Sequence, residues 1–425
     1  MSAVRSALDQ SSSPRAIFIL ELIDEGRLSR FKVDAYSATK MLYENSKTPY
    51  PKVGKKISPI DHKNMPSIEQ LQEICLRDVQ KTREFYGDFN IFFAPSRLTK
   101  DGSVAGIIDD MDYTVNLIKR MKEVDADDEQ HPNGVSFQGY ELNGLCDYAW
   151  VEPYNNLKTL PAMGMVLPRH LFQYLTHSNE GDTTTVLFSG SLVWMIWPPT
   201  PYNLDILKKV YDSFSGDFVK ANHAGLQLLE GGVIFIQAEG EAVHLPAFCP
   251  VVTFPLETCV AASWSDLTVE NFLGMIPKIS LLNAWFDTEF DGQTKRSEFN
   301  ASFLKYMDHL LNGTSHAVGD EVDTTHKLEF GRLGLLEQLL EGWDNVKQDV
   351  ADTLGSADAK VLVGIWTDFL IAAKGRECKI CNWRCSNKAK LMRKHFEEKH
   401  WVQKQVKKDV DSSSTVGDVE MIDDE

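Results

Sequence analysis

The chain has no apolar run long enough to cross a bilayer. Its best candidate, Val361 to Ala373, is short and carries Asp368. It also lacks a G-x-x-x-x-G-K-[ST] loop, a G-x-S-x-G elbow and a G-x-G-x-x-G turn, so the usual signatures of P-loop hydrolysis, α/β-hydrolase chemistry and dinucleotide binding are missing. The Ala16–Ile23 run is short, is interrupted by Glu21 and precedes no small-residue cleavage site, so no secretory signal is expected. Cysteine is scarce: 7 residues, an odd number, with Cys378, Cys381 and Cys385 crowded together. This argues for thiols and a metal site in a reducing compartment rather than a disulfide framework. Positive charge is outweighed as well. A net charge of −17 excludes general polyanion binding by the whole chain, and no internal repeat is evident.

At 425 residues the chain exceeds what one hydrophobic core usually organises, so two or three units are expected. Hydrophobic content of 43% and charged content of 25% are ordinary for a globular protein. The charge is uneven. Residues 374–408 hold twelve Lys or Arg against three Glu, a local +9 that leaves −26 on the rest. A basic patch in an acidic chain points to a local anionic partner. Residues 403–425 read as a basic and then acidic disordered tail, Ser-rich and without aromatics from Asp409 onward, able to fold back on the patch.

Residues 1–15 are polar and read as disordered, and 16–149 as a mixed region packing on a barrel farther along the chain. Within it, Ser67 and Gln70 form a capping-box pattern ahead of Ile68, Leu71, Ile74, Cys75 and Val79 at helical spacing, with an end near Gly87. Asp109, Asp110 and Asp112 fit a solvated helix start better than a cation site, and Asp125–His131 reads as an exposed loop. Between Trp150 and Trp264 the pattern turns to short strands, notably Val186–Trp197 and Gly232–Phe254, interrupted by a helix over Leu204–Phe214. This predicts a β-sandwich or barrel over 150–264. Residues 265–374 are mostly helical, with one stripe of Phe303, Met307, Leu310 and Leu311 and another of Leu333, Leu336, Leu339 and Leu340. The overall class is α+β. The sequons at Asn300 and Asn312 are expected to stay unmodified.

Residues 375–402 carry Cys378-x2-Cys381, a thirteen-residue gap and His395-x4-His400. A tight turn supplies two thiolates and a following helix brings two imidazoles to one side, the donor set that zinc takes in a tetrahedron. The pattern predicts a small ββα C2H2 zinc finger with one structural zinc ion, Leu391 packing beneath the metal. The gaps are slightly longer than usual, and Cys385 stands where such fingers usually carry an aromatic, as a buried thiol or an alternative ligand. Arg384, Lys388, Lys390, Arg393 and Lys394 are placed to contact phosphates or a protein partner. One finger reads only about 3 base pairs, so sequence specificity would be poor. Lys404, Lys407 and Lys408 would extend a nuclear-localisation patch.

The strand-rich segment resembles a Jumonji-C (JmjC) domain, the cupin-like double-stranded β-helix, or jelly roll, of Fe(II)/2-oxoglutarate oxygenases. The resemblance rests on Trp150–Leu160, on the run from His177 through Gly190 and Trp194 to Pro199, and on Glu239 to Val251, about a quarter of the chain. It implies an iron held by two His and one carboxylate. Carried over by residue, the first His falls on His177, the carboxylate on Asn179, the second His on Val251 and the 2-oxoglutarate Lys on Leu192. An amide is a weak ligand for ferrous iron, and neither Val nor Leu can serve. The resemblance therefore implies a barrel degenerate in its iron ligands, a pseudoenzyme without Fe(II) or 2-oxoglutarate. His177 would then be a hydrogen-bonded histidine in a polar pocket, and Trp194, Trp197 and Phe248 jelly-roll core. An active oxygenase of histone-demethylase or protein-hydroxylase type would need substitutes such as Glu180 or Asp182 for Asn179 and His244 for Val251; His170 would point to the opposite face from His177.

The expected role is a regulatory or scaffold protein, nuclear or nucleo-cytoplasmic, whose finger contacts chromatin, nucleic acid or protein, with no membrane partner. The alternatives are that oxygenase and a zinc-finger nucleic-acid binder with a merely structural barrel.

Overall fold

Alternation of inward and outward side chains organises the middle of the chain. The computed structural model describes residues 3–30, 38, 40–42, 65–86, 90–92, 111–127, 133–145, 156–214, 218–289, 292–313 and 334–401. In chain order the strands are β1 (Leu28–Arg30), β2 (Asn90–Phe92), β3 (Gly134–Gln138), β4 (Asn156–Leu167), β5 (Thr176–His177) and β6 (Asp182–Ser189). There follow β7 (Ser191–Ile196), β8 (Gly232–Ala238), β9 (Ala242–Leu245), β10 (Pro250–Pro255) and β11 (Cys259–Thr268). They form a five-stranded sheet, β1-β8-β7-β10-β5, and a six-stranded sheet, β2-β3-β4-β11-β6-β9. Every described pairing is antiparallel except β1 with β8.

The two sheets enclose one core. Leu192, Trp194 and Ile196 of β7, Val233 and Phe235 of β8, and Val251 of β10 face Leu187, Val243, Leu245 and Ala261 of the other sheet. Their neighbours in sequence, Val193, Met195, Ile234, Val252 and Phe254, point outward into a second core built with helices. This is the period-two rule of a sheet covered on both faces. Trp194 and Trp197 are buried as expected, but on opposite faces of the five-stranded sheet, and Phe248 lies in the outer core.

The helices are α1 (Ala3–Asp9), α2 (Pro14–Asp24), α3 (Ile68–Tyr86), α4 (Met111–Lys119), α5 (Tyr140–Gly144) and α6 (Pro201–Asp212). Next come α7 (Phe218–Leu228), α8 (Val269–Met275), α9 (Ile279–Phe286), α10 (Gly292–Asn312), α11 (Leu335–Ala372) and α12 (Lys388–Lys399). Leu71, Cys75 and Val79 of α3 and Leu117 and Ile118 of α4 cover the outer face of the six-stranded sheet. The capping box forms: Ser67 N–H donates to Gln70 Oε1 at 2.8 Å and Gln70 N–H to Ser67 Oγ at 3.3 Å. The predicted helix in the strand region is α6, capped by Thr200, whose Oγ1 accepts from Asn203 N–H. All four residues of the Phe303 stripe are buried on α10. On α11 Leu339 is buried, Leu336 and Leu340 are partly so, and Leu333 lies outside the described residues. Gly355, at φ 71 and ψ 176, breaks α11 into two helical runs.

Several expectations are corrected. Residues 3–9 are helical rather than disordered, because Val4 and Leu8, four residues apart, share a face that is buried in the outer core. Residues 16–149 do more than pack on the barrel: they supply β1, β2 and β3 to its sheets. The strand region also runs past 264, since β11 continues to Thr268. Asp112 lies in the first turn of α4, whereas Asp109, Asp110 and the 403–425 tail fall outside the described residues. Asn300 is buried and donates its side-chain amide to the Leu354 carbonyl at 3.2 Å, a position no glycan could share.

Candidate metal centre

Short-range backbone bonds shape the finger before any metal is considered. Cys378 N–H donates to the Trp383 carbonyl and Asn382 N–H to the Cys378 carbonyl, both at 2.8 Å, and Asn382 takes the left-handed φ of 58° that closes the turn. Between the two halves of the loop there is a single bridge, Glu377 with Arg384, rather than the two full strands expected. Asn387 caps α12 by accepting from Lys390 N–H at 3.2 Å. His395 lies on α12. His400 follows as its C-cap, so the last turn unwinds and brings to one side two histidines whose five-residue spacing would otherwise diverge.

The donor atoms of Cys378, Cys381, His395 and His400 all lie within 4.8 Å of one another. Cys381 Sγ and His395 Nε2 are 3.3 Å apart, close to the separations of about 3.3–3.8 Å that a tetrahedron with bonds of about 2.0–2.3 Å requires. His400 Nε2 is buried with no hydrogen-bond partner. An orphaned buried nitrogen beside two thiols and a second imidazole fits a metal ligand. Burial raises the Cys378 thiol and lowers His395, and a bound cation would offset the first by favouring the thiolate. Cys385 is buried but stands outside the cluster, its Sγ facing the Arg376 carbonyl. Leu391 is only half-buried; Met392 and Phe396 are the buried apolar residues on α12.

The finger is docked rather than free. Trp343 and Trp366 of α11 meet at a ring separation of 4.6 Å, and Trp366 stacks on Phe396 at 5.8 Å. Trp343 Nε1–H donates to the His400 carbonyl at 2.9 Å, and His400 Nδ1 lies 3.0 Å from an Asp344 carboxylate oxygen. Neither contact was legible in the local sequence, because both partners lie more than fifty residues upstream. Of the basic residues, Lys388 donates to the Ala373 carbonyl, Arg384 faces Glu377 at 3.7 Å, and Arg393 and Lys394 pair with Glu397 and Glu398 one turn on. Lys390, Arg393 and Lys394 are exposed.

The barrel positions do not converge. Val251 and Leu192 point between the sheets. His177 pairs with Pro250, the neighbour of Val251, and so faces outward. Its ring stacks on Phe248 at 5.5 Å, meets Trp285 edge-on at 5.3 Å and bonds the Tyr211 hydroxyl through Nδ1 at 2.8 Å. Burial lowers its pKa to about 4, so it is a neutral imidazole in an aromatic niche rather than in a polar pocket. Asn179 is exposed and donates to Thr183 Oγ1 at 3.2 Å. Of the proposed substitutes, His244 alternates with inward Val243 and Leu245, faces outward and bonds Thr184 Oγ1 at 2.8 Å. Glu180 lines a cavity of about 220 Å³ with Lys158, Phe303, Tyr306 and Trp285, the ring that also meets His177. Asp182 Oδ2 accepts from Asn271. The polar groups described between the sheets satisfy one another: Trp194 Nε1–H donates to Gln237 Oε1, and Gln237 donates to the Thr185 carbonyl.

A second cluster joins Asp125, Asp127 and His170. His170 lies outside the sandwich, in the left-handed region at φ 63. Its Nδ1 lies 3.0 Å from Asp125 Oδ2, and its Nε2 faces Ser11 Oγ at 2.9 Å and Arg169 Nε at 3.2 Å. Arg15 lies 3.6 Å from Asp127 and donates to the His170 carbonyl. With both ring nitrogens engaged and two guanidinium groups adjacent, this is a latch holding the N-terminal helices. Within the expected exposed loop, Asp127 is exposed and Asp125 is half-buried against His170, and residues 128–131 fall outside the described residues.

The chain combines helices with two antiparallel-dominated sheets and carries a Cys2His2 cluster able to hold a metal ion. No protein-family model matches it, nor does any curated protein. Among solved structures it is similar to oxalate decarboxylase from Bacillus subtilis, with 12% identity over 32% of this chain and 24% of that one, at a TM-score of 0.19. It is likewise similar to a cupin-like protein from Thermotoga maritima, with 12% identity over 31% of this chain and 68% of that one, at a TM-score of 0.17. The match thus spans about a quarter of the decarboxylase's length, and scores this low say nothing about chemistry.

Proposed function

We propose that this protein is a non-catalytic JmjC-type barrel acting as a regulator or scaffold, with a structural zinc ion at Cys378, Cys381, His395 and His400. The zinc holds a basic finger that contacts nucleic acid, chromatin or a protein partner, in the nucleus or shuttling to it. The observation that carries the barrel half of this reading is the split of the iron positions across a sheet. Leu192 and Val251 lie among apolar side chains inside, and His177 is buried among aromatics outside. Two His and a carboxylate would have to share one face to hold ferrous iron. The finger half is supported by the compact donor cluster and the orphaned His400 nitrogen.

Metal analysis of the purified protein tests both halves. One equivalent of zinc and no stoichiometric iron is the expected result. Iron at unit stoichiometry, together with succinate formation from 2-oxoglutarate, would replace this reading with the active-oxygenase one. Exposed Lys390, Arg393 and Lys394 favour an anionic partner. Binding to nucleic acid should therefore weaken steeply with salt and fall when these three become Ala. Binding that ignores both salt and the substitutions points instead to a protein contact.

A further inference from the structure

We propose that the metal site is shared between the finger and helix α11, with Asp344 a positioning residue for the ligand His400. This rests on reading the Cys2His2 cluster as a zinc site. A self-contained finger would draw everything it needs from its own thirty or so residues, but here the second imidazole is held from outside. Both oxygens of Asp344 lie near His400 Nδ1, at 3.1 and 3.0 Å. That fixes the tautomer: Nδ1 carries the proton and donates it, and Nε2 keeps its lone pair. It is Nε2 that is buried without a partner and belongs to the donor cluster. A carboxylate behind a ligating histidine raises the basicity of the ring and sets its plane.

Three further contacts lock the arrangement. Trp343 holds the His400 carbonyl at 2.9 Å. Lys347 donates both to Asp344 Oδ1 at 2.8 Å and to the Lys399 carbonyl at 2.9 Å. One turn of α11, from Trp343 to Lys347, therefore grips the C-terminal end of α12, with Asp344 in the middle. It follows that metal binding and finger docking are one equilibrium. Zinc orders His400 against Asp344, and the docked α11 surface presents His400 to zinc. Loss of the metal would release α12 and uncover the Trp343–Trp366 face.

The test uses the full chain, stripped of metal and titrated with zinc against a chromophoric chelator. Asp344→Asn should weaken zinc affinity about 10–100-fold and shift the d–d spectrum of the cobalt-substituted protein. Asp352→Asn is the control: it lies on the same helix, is exposed and bonds Gln348, and it should change neither. Equal affinity and an unshifted cobalt spectrum in Asp344→Asn would overturn the proposal, as would an equal loss in the control. An unsubstituted chain that takes up no zinc removes both this proposal and the metal reading beneath it. If metal-free Asp344→Asn does not fold, zinc release from loaded Asp344→Glu is measured instead. Faster release supports the proposal and unchanged release overturns it.

Discussion

His177 Nδ1 and the Tyr211 hydroxyl lie 2.8 Å apart, joining strand β5 to helix α6 on the outer face of the sheet. The same hydroxyl accepts from the His177 backbone N–H at 3.0 Å. This pair makes His177 part of the packing between sheet and helices. Replacing it by Ala should remove a stacked ring and a buried hydrogen bond, costing about 2–4 kcal/mol of stability and leaving zinc content unchanged. Denaturant unfolding and metal analysis of the variant check the two halves. A loss of bound metal would mean the histidine is a ligand after all.

Acid should begin to destabilise the protein in the histidine range. Burial lowers both His177 and His244 to about 4 from the ordinary 6.5. The unfolded chain therefore binds protons at these rings between about pH 6.5 and 4 while the folded chain does not, so stability falls as pH drops through that window. Each ring contributes at most about 3 kcal/mol, and neither adds further loss below about pH 4. Denaturation midpoints measured from pH 7 to 4 should show this slope, and His177→Phe should flatten it. An unchanged slope in that variant would assign the acid sensitivity elsewhere.

Two glycines of α11 should respond in opposite directions. Gly355, at φ 71 and ψ 176, holds a backbone shape that L-residues rarely take, although a Cβ there would meet nothing within 4 Å. Gly355→Ala should cost about 1–3 kcal/mol from backbone strain alone. Gly364 lies inside the helix with equally open space, so Gly364→Ala should gain up to about 1 kcal/mol. Thermal melts of the two variants decide this. A stabilised Gly355→Ala would mean that the break is not needed.

Chelating the metal should change tryptophan emission while leaving the sandwich intact. Trp343 and Trp366 are fully buried beneath α12, so release of the finger shifts their emission to the red. Amide exchange in β7 and β10, inner strands of the five-stranded sheet, should be unaltered. Uniform loss of protection would show that the metal supports the whole fold.

What could be read from the sequence depended on how local each feature is. The ligands of the finger fall within 23 residues, and the capping box of α3 within four, so residue type and spacing sufficed. Asp344 escaped notice because 56 positions separate it from His400. The side of the sheet that His177 occupies also escaped, because it depends on pairing with Pro250, a register set by strands far apart in the chain. The helix at residues 3–9 was missed for a related reason: its two buried apolar residues are too few to signal burial until the sheet they cover is known.

Strand β1 runs alongside β8 as the only parallel partner described in its sheet, residues 28–30 matching 232–234. The short N-terminal strand therefore works as a guard rail. Without it, the backbone donors and acceptors of Gly232–Ile234 would stand open beside Val233 and Ile234, a ready template for another chain to add a strand. Deleting residues 28–30 is consequently a solubility hazard.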